Sequence, residues 1–278
     1  MRIRSGTKGF ILCSLMILLT FFGGTAFGAD NNSDITRNLD GEHGLVADGL
    51  GALWRNYAKI TINGNEAYGM LGTDGAEIHN AVKVGRTGSI FTTGEASHGM
   101  VAEGGAKAFN ERSLTRIGTV LTTGPNSHGM VALSGSYAEN LGSIVTEGKG
   151  SFGMWARDAS SIVRNDSYGG VLGAGGYSGS ILTKEDGSHG MVAEGGAQAF
   201  NDGALSLSII PFGIDPKRSS ITTEGGGSHG MVASGDGSAA WNAGEILTKG
   251  VGSFGILAES GGVAHNYAQD TASATLGR

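Results

Sequence analysis

Apolar and polar residues alternate along this chain in short bursts, and the bursts recur at a fixed spacing. After a recurring Gly (Gly44, Gly69, Gly99, Gly129, Gly153, Gly190, Gly230, Gly255), the next residue is Leu, Met or Ile, and the third is Ala, or Gly72 once. The second and fourth positions are mixed, with Val46, Leu71 and Trp155 at the second and Asp48, Glu103, Arg157 and Glu194 at the fourth. Alternation over four residues is the signature of a strand with one face buried. A second burst ends at an Asn, with Ala or Val two before it from Asn110 onward and a variable residue one before (Phe109, Glu139, Arg164, Phe200, Trp241, His265). A third burst places a β-branched residue at 60, 90, 120, 144, 181, 221 and 246, mostly with Thr two later.

The intervals between these marks predict the architecture. From the motif Gly to the Asn is 11 or 12 residues, and from the β-branched residue to the next motif Gly is always 9. All length variation lies between the Asn and the β-branched residue, where the gap runs 4, 10, 10, 4, 16, 20 and 4. Two fixed stretches and one elastic corner describe a coil of 24–25 residues wound on a rigid template, so internal repetition sets the fold. Glycine, 52 of 278 residues, excludes a helical repeat, because each helix-interior Gly costs about 1 kcal/mol. The expected class is all-β: a parallel β-helix of about eight coils with three short strands each, roughly 38 Å long at the interstrand spacing. The repeats occupy 43–267, with a lead-in at 29–42 and an incomplete last coil or tail at 268–278.

Stacked coils turn columns of sequence into ladders. The methionines at 70, 100, 130, 154, 191 and 231 share the first inward column, and read as core rather than as a copper site, since thioethers fill irregular gaps. The Asn column reads as a corner ladder of amides, using the tolerance of Asn for left-handed backbone. His43, His98, His128, His189 and His229 share a column with Tyr68, Phe152 and Phe254. It reads as an aromatic stack; the alternative is a metal site on His98 and His128 or His189 and His229, whose stacked rings would titrate near pH 6 and repel.

Residues 1–28 read as a secretory signal: Arg2, Arg4 and Lys8, then the apolar run Phe10–Phe22, then Ala26-Phe27-Gly28 with small residues at −3 and −1. Its removal leaves 16 basic residues against 25 acids, which argues against nucleic acid as a partner. The single cysteine, Cys13, lies in the signal, so neither a disulfide framework nor a thiolate metal site is expected. No later stretch is apolar enough to span a bilayer.

Ser-His-Gly-Met-Val-Ala, Gly-Gly-Ala, Ala-Phe-Asn and Ile-x-Thr-x-Gly, recurring over 43–267, resemble the repeats of bacterial autotransporter passengers. The resemblance implies a right-handed, pectin-lyase-like β-helix exported to the outer-membrane surface or beyond in a Gram-negative bacterium. Such passengers carry a C-terminal outer-membrane barrel, which the residues up to Arg278 do not supply. A separate barrel would then be the export partner, with the periplasm as destination where none is available.

For chemistry, Glu103 and Glu194 share a column three coils apart, too far to converge on one bond, and no Ser-His-Asp order, P-loop or His-Glu-x-x-His motif occurs. No cofactor is expected and no enzyme is favoured; a polysaccharide lyase or hydrolase is the enzymatic alternative, and a truncated passenger without activity is the other. The elastic corner is the candidate binding side, because insertions there cost little in closure entropy. Loops 81–88 and 111–117 supply a basic cluster of Lys83, Arg86, Arg112 and Arg116. Loop 166–178 supplies Tyr168 and Tyr177, and loop 202–218 supplies Ile209, Ile210 and Phe212, either exposed or folded back on the rod. The fourth coil has no insertion, so the loop pairs would wall a shallow groove. The resemblance implies adhesion, with a protein or glycan of a host or neighbouring cell as partner.

Overall fold

In the computed structural model, which describes residues 28–168, 176–203 and 218–267, every long element is a strand. Three parallel sheets run the length of the rod, of nine, eight and eight strands. One holds the motif strands (Met100–Ala102, Met130–Leu133 and their equivalents), one the strands ending in Asn (Lys107–Asn110, Tyr137–Asn140), and one the Ile-x-Thr strands (Ser89–Thr92, Thr119–Thr122). Along the inward columns like sits opposite like: Met100 between Met70 and Met130, Asn110 between Asn80 and Asn140, Val120 between Ile90 and Ile144. The solenoid is right-handed, the hand that a strand–crossover–parallel-strand connection takes in about 98% of cases. No helix among the described residues is long and apolar enough to cross a membrane.

The core lies inside the coils. The six methionines of the first inward column are fully buried, among Ile60, Ile78, Ile90, Ile144 and Ile221. The motif Gly is required by this packing. A Cβ at Gly99 would lie 2.2 Å from Val120 Cγ1 and 2.6 Å from the Gly129 carbonyl oxygen. The β-branched side chain of the Ile-x-Thr strand that follows therefore fills the place a side chain at the motif Gly would take, whatever the length of the insertion between them.

Polar groups inside the coils are paired in ladders. Each corner Asn donates from Nδ2 to Oδ1 of the Asn one coil on, from Asn31→Asn56 (2.8 Å) through Asn110→Asn140 (2.8 Å) to Asn242→Asn266 (2.8 Å). A second Nδ2 bond reaches a backbone carbonyl, as from Asn110 to Ser143 (3.3 Å). These asparagines are not left-handed, contrary to expectation: they end strands, and the left-handed positions fall elsewhere, at Asn126, Ser134 and Asp158 for example. A serine ladder lies at the opposite corner. The Ser97 N–H donates to Ser127 Oγ (3.0 Å), the Ser127 hydroxyl donates to the Gly94 carbonyl (2.8 Å), and Thr122 Oγ1 donates to the Ser127 carbonyl (2.6 Å). That role accounts for the Ser that opens most motif copies and for the buried Thr of the third strand.

The residues read as a lead-in are themselves strands. Gly28–Asn31 pairs with Leu53–Asn56, and Ile35–Arg37 with the strand Lys59–Ile62, so the ladders begin one coil earlier than the first motif.

Candidate functional site

The histidine column is a stack. Ring centroids are 4.8 Å apart for His98 and His128, 4.6 Å for His128 and Phe152, and 4.9 Å for His189 and His229. Each of these imidazoles also accepts a backbone N–H at Nδ1: His98 from His128 (3.1 Å), His128 from Phe152 (2.9 Å), His189 from His229 (3.0 Å) and His229 from Phe254 (3.0 Å). The proton therefore sits on Nε2, and neither nitrogen offers a free lone pair to a metal ion. The expectation of titration near pH 6 does not hold. Burial lowers His98 and His189 to about 4 and pushes His128 well below its ordinary value.

At the elastic corner two of the insertions carry short antiparallel strand pairs. Val82–Lys83 pairs antiparallel with Arg86–Thr87, and Ser167–Tyr168 with Tyr177–Ser178, whose tyrosine rings stack at 5.3 Å. The four basic residues do not converge on one patch. Lys83 lies over the Tyr57 ring (3.7 Å) and 3.5 Å from Asp30, and Arg86 donates to the Asn32 carbonyl (2.6 Å). These two tie the first hairpin back onto the N-terminal coil, while Arg116 joins it through Thr87 Oγ1 (3.3 Å). Arg112 points the other way and donates from Nη1 to the Ser178 carbonyl (3.0 Å). Ile209, Ile210 and Phe212 lie outside the described residues.

The Arg112–Ser178 bond crosses the coil that has no insertion, and beside it lies a pocket of about 280 Å³. His79, Phe109 and Glu139, all one before a ladder Asn, line it with Glu111, Arg112 and Leu141. The strand alternation that buries Ala108 and Asn110 turns Phe109 outward, so the sheet pattern itself supplies the wall. His79 stacks on Phe109 (4.7 Å), and its Nδ1 meets Glu111 Oε1 at 2.7 Å. His79 Nε2 and Arg112 Nε are shielded from solvent and have no partner. Glu139 accepts from the Tyr137 hydroxyl (2.5 Å), and burial raises its carboxyl above the usual range. One coil on, Arg164 pairs with Asp202 at 2.6 Å, and burial pushes Asp202 up to about 6.

Of the residues expected to bind, only Arg112 lines this pocket. His79, Phe109 and Glu139 share the outward column one before the Asn, in which Phe109 gives way to Glu139 and then Arg164 at the insertion-free coil and beyond; Glu111, one after Asn110, lies outside that column.

A family model described as the BigA third pectate lyase-like domain matches residues 19–167, just over half of the chain. The chain belongs to this family. No curated protein and no solved structure matched it. The pocket lies within the BigA-type match, and the same ladders continue beyond it through Asn201, Asn242 and Asn266. A pectate-lyase-like family is a scaffold class, so the family assigns the β-helix and leaves the activity to the site.

Proposed function

We propose that this chain is the exported, surface-exposed passenger of an autotransporter-type system and acts as a non-enzymatic interaction module. It binds a molecule on a host or neighbouring cell along the elastic corner. The observation that carries this reading is the Arg112–Ser178 tie across the insertion-free coil, which joins two insertions beside a pocket that Arg112 itself lines. Concave sites with few, placed polar groups are where ligands bind, and loops held by a rigid scaffold are where binding residues collect. The leader at 1–28 fits export, and a separate outer-membrane barrel would be the partner for display.

The test replaces the Val82–Thr87 and Ser167–Ser178 insertions by the short corner that follows Asn140. The trimmed rod keeps its strand signal in circular dichroism and loses binding to intact cells; unchanged cell binding would sink the proposal. A second reading, a carbohydrate-active enzyme, has one observation in its favour. Glu111 holds His79 by Nδ1, and both line a pocket that also holds the raised carboxyl of Glu139, so an imidazole and two carboxyl groups meet at one place. Incubation with acidic polysaccharides tests it: no rise in unsaturated-sugar absorbance and no new reducing ends would remove it.

A further inference from the structure

Three rings on this rod carry a cation on their faces. Lys83 lies over Tyr57, Arg164 over Phe200 at 5.6 Å, and Arg157 over Trp155 at 5.8 Å. Phe109 differs. One face stacks on His79, and the other looks toward the next coil, where the column holds Glu139 instead of a cation and Tyr137 lies tilted at 6.0 Å. That place is the pocket, and the carboxylates of Glu111 and Glu139 both line it.

We infer that the pocket between Phe109, Glu111 and Glu139 receives a lysine side chain of a partner protein, its ammonium seated on the Phe109 face between the two carboxylates. The inference rests on the proposed interaction function and names the chemistry of its partner. A cation on an aromatic face flanked by acids gains from both the ring quadrupole and the carboxylates, and the alkyl stem finds Leu141. The acidic balance of the chain, −6, draws a basic partner toward it. Arg112 is the one wall charge that opposes a cation, and its hydrogen bond to Ser178 directs its head across the insertion-free coil. The arrangement therefore assigns opposite signs to two substitutions on one wall.

The experiment titrates the full chain with Nα-acetyl-lysine methylamide by NMR at low ionic strength, with the norleucine analogue, acetate and glucosamine as controls. The lysine probe is expected to bind with Kd on the order of millimolar and the norleucine analogue at least tenfold more weakly. Glu139→Gln, which keeps the Tyr137 bond, weakens it at least fivefold, and Arg112→Gln strengthens it. Equal binding of the norleucine analogue, tighter binding of glucosamine or acetate, no binding at all, or loss of binding in Arg112→Gln would each overturn the inference. Glu111→Gln serves as a second carboxylate variant should Glu139→Gln fail to fold. Cell binding by the unaltered and loop-trimmed chains is measured separately, so the interaction function can survive the loss of the lysine pocket.

Discussion

A histidine whose Nδ1 already accepts a backbone N–H stays neutral until that bond is broken, and five such rings give the rod an acid limit. Burial lowers His43, His98, His128, His189 and His229 alike. The unfolded chain takes up protons below about pH 6.5, while folded His98 and His189 resist to about 4. Their stabilisation is complete above pH 6.5, falls between 6.5 and 4, and levels off below, with a loss of roughly 3 kcal/mol at most for each. Asp202 and Glu139 oppose this, because their raised carboxyls hold protons in the folded state. The five rings outnumber them. Urea midpoints should therefore fall from pH 7 to pH 4.5, and His98→Phe should flatten that fall, since the column accepts Phe at 152 and 254. The asparagine ladder makes a second residue-scale prediction. Asn110→Asp would set a buried carboxylate against the Asn140 and Ser143 oxygens that Asn110 now donates to. It should cost more than Asn110→Ala, by at least about 1 kcal/mol in denaturant unfolding.

At the scale of the element, the constant separation of nine residues and the variable corner have different physical standing. Between Val120 and Gly129 every residue faces a neighbour one coil away, and a one-residue insertion there would turn core positions outward. Insertion of one Gly after Thr122 should abolish the folded state, whereas replacing the Val82–Thr87 hairpin by a short corner should shift the urea midpoint only slightly. The three strands, the methionine core and the elastic corner were readable because the alternation repeats with constant spacing. The first coil carries the same signal, since Asn31, Ile35 and Gly44 keep the 4 and 9 spacing found elsewhere, but no Gly motif precedes it to mark it as a repeat. The serine ladder escaped because its bonds run between coils, which a single repeat does not display. The pocket escaped for a related reason: its walls, Phe109, Glu111 and Glu139, belong to two coils, and only stacking brings them together.

For the whole molecule, coils touch only their neighbours, so stability is approximately a sum of coil and interface contributions. Deleting residues 120–143 removes one whole coil and joins Thr119 to Ile144 in the register Val120 now holds. The shortened rod should fold, with a slightly lower urea midpoint and its length reduced by about 4.8 Å in solution scattering. Loss of strand signal in circular dichroism would show that the fourth coil is indispensable.

The asparagine amides give the rod a direction. All eight Nδ2→Oδ1 bonds run from N-terminal coil to C-terminal coil, so their dipoles align instead of cancelling. Turning one rod around to meet another end to end would set donor against donor or acceptor against acceptor. One ladder can therefore continue another from donor to acceptor only when the two run head to tail, as in a filament, and not when they are related by a two-fold axis.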